Sequence, residues 1–463
     1  MTFRYMSVSA KVAELQVCLD GGSIKATKSQ LKKLGRLEDE GLISPLTELL
    51  NHSNDDIREL TVKNLGKFSS RHDLFHIFQR VITEDSSSTV RREAVSSIGR
   101  QRNEKNISYL KELLKDHDPM VVMQAIRGLL VFKQQKDVVE ALLELKNHVS
   151  ETVRRVINIE MRDKSGENIA KGIHMSSPDY MKNTIVHGDA LEILGKIKEE
   201  AFHLTFTSPP YYNARDYSIY KSYDEYLNFL KQIFAEVHRI TKEGRFLIVN
   251  TSPVIMKRFA RNHSSTRYPI PFDLHPILTK MGWEFIDDIV WAKPEASVKN
   301  RNGGFQQRKK PLMYKPNSRT EMVMVYRKKT HRLLDWNIKQ YPKEIVDESL
   351  VQGVFESSNL WEIAPEFDKV HSAVFPKKLC DEVVKFYSMK GDLLFDPFGG
   401  SGTFGLAARR AGRSFFLTEI NQEYFNRMKE VFHKKTITGG DEEKEVRFVK
   451  LEDFNISINK NIL

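Results

Sequence analysis

The stretch "DLLFDPFGGSGTFGLAARRAGRSFFLTEI", Asp392 to Ile420, decides the fold. Its first apolar run predicts a buried strand. Gly400, Gly402 and Gly405 then follow in GxGxxG spacing, and "TFGLAARR" carries apolar residues at helical intervals. A second apolar run ends at Glu419, where a carboxylate can accept hydrogen bonds from ribose hydroxyls. Strand, glycine turn, helix, strand and terminal acid is the layout of an α/β nucleotide site. By itself it fits an NAD-dependent oxidoreductase as well as any other adenosine-binding enzyme. A phosphate-binding Walker loop is excluded, because no Gly-Lys-Ser/Thr follows.

Outward from this unit, the strand candidates in chain order are "NTIVHG", "FHLTFTS", "RFLIVNTS", "EFIDDIVWAK", "EMVMVYRK", "DLLFDPF" and "RSFFLTEI", with helices such as "SYDEYLNFLKQIFAEVHRIT" between them. Seven strands suffice for one open sheet, expected within residues 183–440, with residues 441–463 as a C-terminal tail. The first 160 residues differ. There Ile57, Val90, Val121 and Val153 recur in one helical register, and Leu65, Ile98 and Leu129 repeat in step. A near-constant period of this size predicts helix pairs stacked on one another, and the segment resembles HEAT-type repeats. A polar stretch, residues 161–182, reads as the linker.

At 463 residues the chain is long enough for two or three domains. Cys18 and Cys380 lie far apart without CxxC or His-rich companions, which excludes a disulfide framework and a structural zinc site and leaves no metal expected. No apolar run reaches membrane-spanning length, so a cytoplasmic protein is expected. Lys and Arg number 72 against 61 Asp and Glu, a net charge of +11 that favours a polyanionic partner. Residues 1–160 hold 25 basic and 22 acidic side chains, so only +3 of that surplus lies there. The basic stretch at about 295–332 includes Lys299, Arg301, Arg308, Lys309 and Lys310, interleaved with Asn, Gly and Gln, and from Val298 to Arg332 its single acid is Glu321. Such a run suits a loop that reaches phosphates and base edges.

The readings of the glycine loop separate on Asp396-Pro397-Phe398, just ahead of it, and on "TSPPYYNARDY", Thr207 to Tyr217, far upstream. Together, "DPFGGSGT" and "TSPPYY" resemble the two signature motifs of the S-adenosylmethionine-dependent DNA amino-methyltransferases. The proline motif comes first, which is similar to the permuted, beta order of that family. The resemblance covers roughly Asn183 to Arg427. It implies a class I, Rossmann-like α/β methyltransferase with a mixed seven-stranded sheet following an all-α repeat domain.

The resemblance also implies site residues. Asp396, Phe398, Gly400, Gly402 and Thr403 would form the cofactor loop, with Glu419 on the ribose and Asp189 near the adenine. His371 and Phe375 match the segment leading into the loop, and core packing accounts for Phe375 nearly as well. An exocyclic amine is a poor nucleophile because its lone pair is delocalised into the ring. Acceptors at the Ser208 hydroxyl and the Pro209 carbonyl, held stiff by Pro209 and Pro210, would draw out that lone pair. Tyr211 would stack on a base flipped out of double-stranded DNA. Asn213 and Arg215 would touch the base or its flanking backbone, unless Arg215 simply pairs with Asp216 at the surface. Carbon-5 methylation needs a cysteine nucleophile, usually after proline, and neither cysteine follows one. In the family, Ser at the head of the motif leans toward cytosine N4 and Asp toward adenine N6. The expectation is therefore a site-specific cytosine-N4 methyltransferase of a restriction-modification or related defence system. Adenine N6 methylation, an oxidoreductase and a non-catalytic DNA scaffold stand as alternatives. The repeats would grip duplex DNA or dock a restriction endonuclease or other defence subunit.

Overall fold

The structure, a computed structural model, describes residues 12–13, 15–17, 23–34, 40–68, 74–162, 174–198, 200–212, 220–256, 260, 262–263, 266–297, 318–353, 357–368, 374–436 and 445–454. The chain divides into two compact units, residues 1–167 and 168–463.

The first unit is built from paired helices, Ile43–Leu49 with Asp55–Leu65, Phe75–Glu84 with Ser88–Arg100, Ile107–Glu112 with Pro119–Leu129, and Lys136–Glu144 with Glu151–Glu160. Ile57, Val90, Val121 and Val153, the residues of the predicted register, are all fully buried in one core. Polar residues start the second helices: Asn54 accepts from the Ile57 amide, and Asp118 accepts from Met120 with Pro119 in the first turn. The loop acids also tie neighbours together. Asp85 receives Arg58 at 2.7 Å and Asp118 receives Arg92 at 3.1 Å, each from the preceding pair.

The second unit is a sheet between two helical layers. Its strands are β1 (Thr184–His187), β2 (Phe202–Thr207), β3 (Thr241–Thr251), β6 (Trp283–Ala292), β7 (Thr320–Lys328), β8 (Leu360–Glu362), β9 (Leu393–Asp396), β10 (Ser414–Glu419) and β11 (Arg447–Lys450), and a separate hairpin pairs β4 (Val254–Met256) with β5 (Thr266–Tyr268). The order is β11-β1-β10-β9-β2-β3-β7-β6-β8, and β7 alone runs antiparallel to its neighbours. Helices Ala190–Leu194, Tyr223–Ile240 and Ile270–Met281 bury one face of the sheet, and Lys377–Tyr387, Thr403–Arg410 and Gln422–Thr436 bury the other.

All seven predicted strands form and the sheet is mixed, but its count is nine, not seven. The two additions are edge strands of three and four residues, "LWE" and "RFVK", too short and too polar to show an apolar run. β11 comes from the stretch read as a tail. The stretch read as a linker likewise ends in the core, where His174, Tyr180 and Met181 are buried.

At the N-terminal ends of the central strands lies a closed polar network. Asp392 is fully buried and accepts from the Arg245 guanidinium, from Tyr341 Oη at 2.5 Å and from the Met389 amide at 2.8 Å. Burial alone would raise its carboxyl, but Arg245 beside it holds it below the usual range. His203 accepts the Leu393 amide on Nδ1 and donates from Nε2 to the His174 carbonyl, and burial pushes its imidazole down to about 4. Removing one member of a buried ion pair strands the other charge. Asp392→Asn is therefore expected to lower the unfolding free energy by about 3 kcal/mol. The exposed Lys343–Asp347 pair should be worth less than about 0.5 kcal/mol. Urea denaturation followed by tryptophan fluorescence measures both, because Trp283, Trp291, Trp336 and Trp361, the four tryptophans of the chain, all lie in this unit.

Candidate active site

Strands β2 and β9 are parallel neighbours, with Leu204 opposite Leu394 and Thr205 opposite Phe395. The proline motif leaves the C-terminal end of β2, and the glycine loop leaves that of β9. Two segments 189 residues apart thus emerge side by side, joined where Thr207 Oγ1 donates to Asp396 Oδ1 at 2.6 Å. The same oxygen accepts the Phe398 amide at 3.0 Å. Asp396 is 2% exposed, and burial pushes its carboxyl up to about 7 despite these two hydrogen bonds.

Glu419 closes β10, also buried. Its Oε2 accepts the Gly400 amide and its Oε1 the Asn421 amide, both at 2.8 Å. Gly400 and Gly402 have φ of 52° and 73°, the left-handed region that glycine adopts without strain. A Cβ on Gly402 would also come within 2.9 Å of the Phe432 ring, so the loop packs tightly on helix Gln422–Thr436. Thr403 opens helix Thr403–Arg410, its hydroxyl 2.9 Å from that of Ser401. Phe398 is half-buried, its ring 6.1 Å from Phe229.

Asp189 caps helix Ala190–Leu194 by accepting the Glu192 amide at 3.1 Å, in the turn after β1, whose His187 pairs with Glu419. It therefore lies beside the Glu419 strand end, with one oxygen engaged as a cap. Phe375 stacks on Phe206 of β2 at 4.5 Å and 16°, the geometry of core packing. His371, Asn213, Arg215, Lys299, Arg301, Arg308, Lys309 and Lys310 lie outside the described residues. Cys380 is buried and burial pushes its thiol well up, so it offers no thiolate for carbon methylation.

Around the proline motif, Pro209 is buried while Ser208, Pro210 and Tyr211 are half-buried. Tyr211 Oη donates to Glu321 Oε2 at 2.8 Å. Asn250 Nδ2, from the end of β3, donates to that same oxygen at 2.6 Å and reaches Ser208 Oγ at 3.4 Å. Lys293 pairs with Glu321 Oε1, its ammonium 4.5 Å from the Trp291 ring centroid. Burial and the Glu321 carboxylate hold the Tyr211 phenol far above its ordinary value. Tyr212 enters an aromatic cluster with Tyr223 and Tyr268, at 5.3 and 4.9 Å.

Sequence reasoning passed over Asn250, Lys293 and Glu321, which read only as strand and strand-end residues. One signal was present: Glu321 is the lone acid between Val298 and Arg332. Ile420 was also passed over. It is 66% exposed directly after buried Glu419, an apolar face at the mouth of the glycine loop.

Residues 202–430 match the family model described as DNA methylase, and residues 76–161 match that of HEAT repeats. The second unit is a DNA methylase domain of the N6/N4 amino-methyltransferase type. Among similar proteins, the type II methyltransferase M.Cfr9I of Citrobacter freundii is 28% identical over 290 residues, 54% of this chain and 88% of that protein. The type II beta methyltransferase M.BslI of Bacillus sp. (strain NEB-606) is 26% identical over 251 residues, which is 52% of this chain and only 26% of that protein. Among solved structures, a DNA modification methylase of Thermus thermophilus is 24% identical, with a TM-score of 0.44 over 58% of this chain and 98% of that one.

The cofactor of this methylase domain is S-adenosyl-L-methionine, and the residues present fit it. The Glu419 carboxylate meets the backbone amides of Gly400, Asn421 and Ile420, which leaves one of its four lone pairs for a ribose hydroxyl. Ile420 supplies an adjoining apolar face, and Asp396 and Phe398 line the turn between the two motifs. The raised Asp396 carboxyl has a measurable consequence. Between about pH 4, where an unfolded aspartate ionises, and about 7, the folded chain keeps a proton that the unfolded chain has released. Stability from this group is thus complete at the acid end and lost as pH rises to 7. Asp396→Asn lacks this group, so wild-type stability relative to the variant should fall across that window and level off above it. Urea denaturation of the cofactor-free protein at stepped pH measures the difference.

Proposed function

We propose that the chain is a site-specific DNA methyltransferase acting on the N4 amine of cytosine in double-stranded DNA, in a type II restriction-modification or related setting. The observation that carries the reading is Ser208. It heads the proline motif, sits one residue beyond the Thr207–Asp396 link, and is flanked by Asn250 and Tyr211. A hydroxyl there offers an acceptor to one amine N–H, and the Pro209 carbonyl, whose residue cannot donate, offers the next. Both pull the amine lone pair out of conjugation with the ring. Tyr211 supplies an aromatic face for a base extruded from the duplex, since the amine cannot be reached within the stack. When bound, S-adenosyl-L-methionine supplies the methyl group as an electrophilic sulfonium.

DNA contact fits the topology as well as the charge. The basic segment leaves β6 and returns through β7, and its base is closed by hydrogen bonds between Lys293 and Arg319: the Lys293 amide to the Arg319 carbonyl at 2.8 Å, and Arg319 Nε to the Lys293 carbonyl at 3.0 Å. Both ends therefore lie next to Glu321 at the edge that holds the proline motif. Sequence choice is assigned to this segment, with Lys299, Arg301, Arg308, Lys309 and Lys310 on phosphates and base edges and Asn213 and Arg215 beside the target base. The helical repeats are assigned to duplex DNA outside the cleft or to a restriction endonuclease partner.

Incubation with sequence-diverse duplex DNA and S-adenosyl-L-methionine, followed by nucleoside mass spectrometry, is expected to yield N4-methylcytosine. Methyladenine without methylcytosine would reverse the base assignment, and no methylated nucleoside at all would sink the function. Ser208→Ala should slow turnover on the order of 100-fold while leaving binding of labelled cofactor intact. Failure to bind the labelled cofactor together with retention of NAD would favour the oxidoreductase reading.

A further inference from the structure

A serine at the head of the motif raises a question of proton balance. Once the amine nitrogen gains a methyl group it must lose a proton, and a serine hydroxyl, unlike a carboxylate, cannot keep one. The contacts of Ser208 show an exit. Its hydroxyl is hydrogen-bonded to the Tyr211 phenol, and because Tyr211 Oη gives its one proton to Glu321 Oε2 at 2.8 Å, Ser208 is the donor between the two. Asn250 fixes the direction of this chain. Its Nδ2 faces Glu321 Oε2 at 2.6 Å, where an amide oxygen would be repelled, and the same group reaches Ser208 Oγ at 3.4 Å. Ser208 Oγ therefore spends its proton on Tyr211 and one lone pair on Asn250, and keeps one lone pair for an amine N–H. At the far end Glu321 is paired with Lys293, and side-chain exposures of 15% and 22% give the pair access to water.

We propose that Tyr211 and Glu321 form a proton relay that drains the target amine through Ser208. The nitrogen lone pair forms the bond to the methyl carbon as the carbon–sulfur bond breaks and leaves its electron pair on sulfur. The N–H proton passes to Ser208 Oγ, the Ser208 hydroxyl proton to Tyr211 Oη, and the Tyr211 phenolic proton to the Glu321 carboxylate. Glu321, neutral at that moment, releases the proton to water beside Lys293. A residue that acts only as a clamp would hold the same contacts but carry no proton. The inference rests on amine methylation as the reaction, and not on which base bears the amine.

Single-turnover methylation by the full-length protein tests it. Tyr211→Phe keeps the ring, and Glu321→Gln keeps an acceptor for Tyr211 and Asn250. Each is expected to slow the step on the order of 100-fold, and the double variant no further than either single one, since both break one chain. Glu321→Asp should recover most of the rate. Melting temperature and affinities for DNA and cofactor should stay near wild type. In the cofactor-free protein, carbon-13 tyrosine NMR, with the Tyr211 signal assigned by its loss in Tyr211→Phe, should show that phenol ionising at lower pH in Glu321→Gln. A Tyr211→Phe rate within threefold of wild type, additive losses or an unmoved Tyr211 titration would each overturn the relay. Mass spectrometry of the wild-type product judges the methylation reading separately.

Discussion

The hydrogen bond from Thr207 to Asp396 is the constraint on which the site depends. It closes a loop of 189 residues, and it does so between buried groups at the C-terminal ends of two adjacent strands. A parallel pair of strands places its C-terminal ends at the same edge, and adjacency brings the two motifs within one hydrogen bond of each other. Nothing local to either motif could achieve this. The proline motif alone is a stiff turn after a strand, and the glycine loop alone is a generic nucleotide turn. The chemistry exists where the sheet sets them side by side.

The two ends of the sheet are built on opposite electrostatic principles. At the N-terminal end, Asp392 meets the full positive charge of Arg245, and burial keeps His203 neutral, so the network is closed and charge-balanced. At the C-terminal end, Asp396 is buried with hydrogen bonds but with no cation among the described residues, and its carboxyl is raised to about 7. Glu419 is raised by the same desolvation. Two buried acids without counter-ions among the described residues cost stability, which is how a site for a cationic ligand differs from a structural clamp.

Much of this was legible in the sequence, and for physical reasons. Strands buried on both faces, β2, β9 and β10, read as continuous apolar runs, and the longer β6 showed by its apolar ends, whereas β8 and β11 sit at the edges with mixed polarity and left no pattern. The glycine loop and proline motif were legible because their backbone demands restrict residue type. Ser208, Tyr211, Asp396 and Glu419 came with them. Asn250, Lys293 and Glu321 did not, because they contribute to the site from strand ends whose register no local spacing encodes. Phe375 was legible in both of its roles: half-buried, it stacks on Phe206 at the margin of the core in the segment that leads to the glycine loop.

The antiparallel strand explains why Glu321 is where it is. Every other strand of the sheet enters from the far edge and ends at the site. β7 does the opposite, so its beginning lies at that edge, with Arg319 and Glu321 beside the ends of β3 and β6. The segment joining β6 to β7 must then start and finish at the active edge, whatever path it takes between. Lys293 binds these parts together: its backbone closes the base of the basic segment on Arg319, and its ammonium pairs with the carboxylate that holds Tyr211 and Asn250. A displacement of the basic segment therefore reaches Ser208 through three contacts. Under the proposed reading, such a short mechanical path would let what the segment contacts bear directly on Ser208.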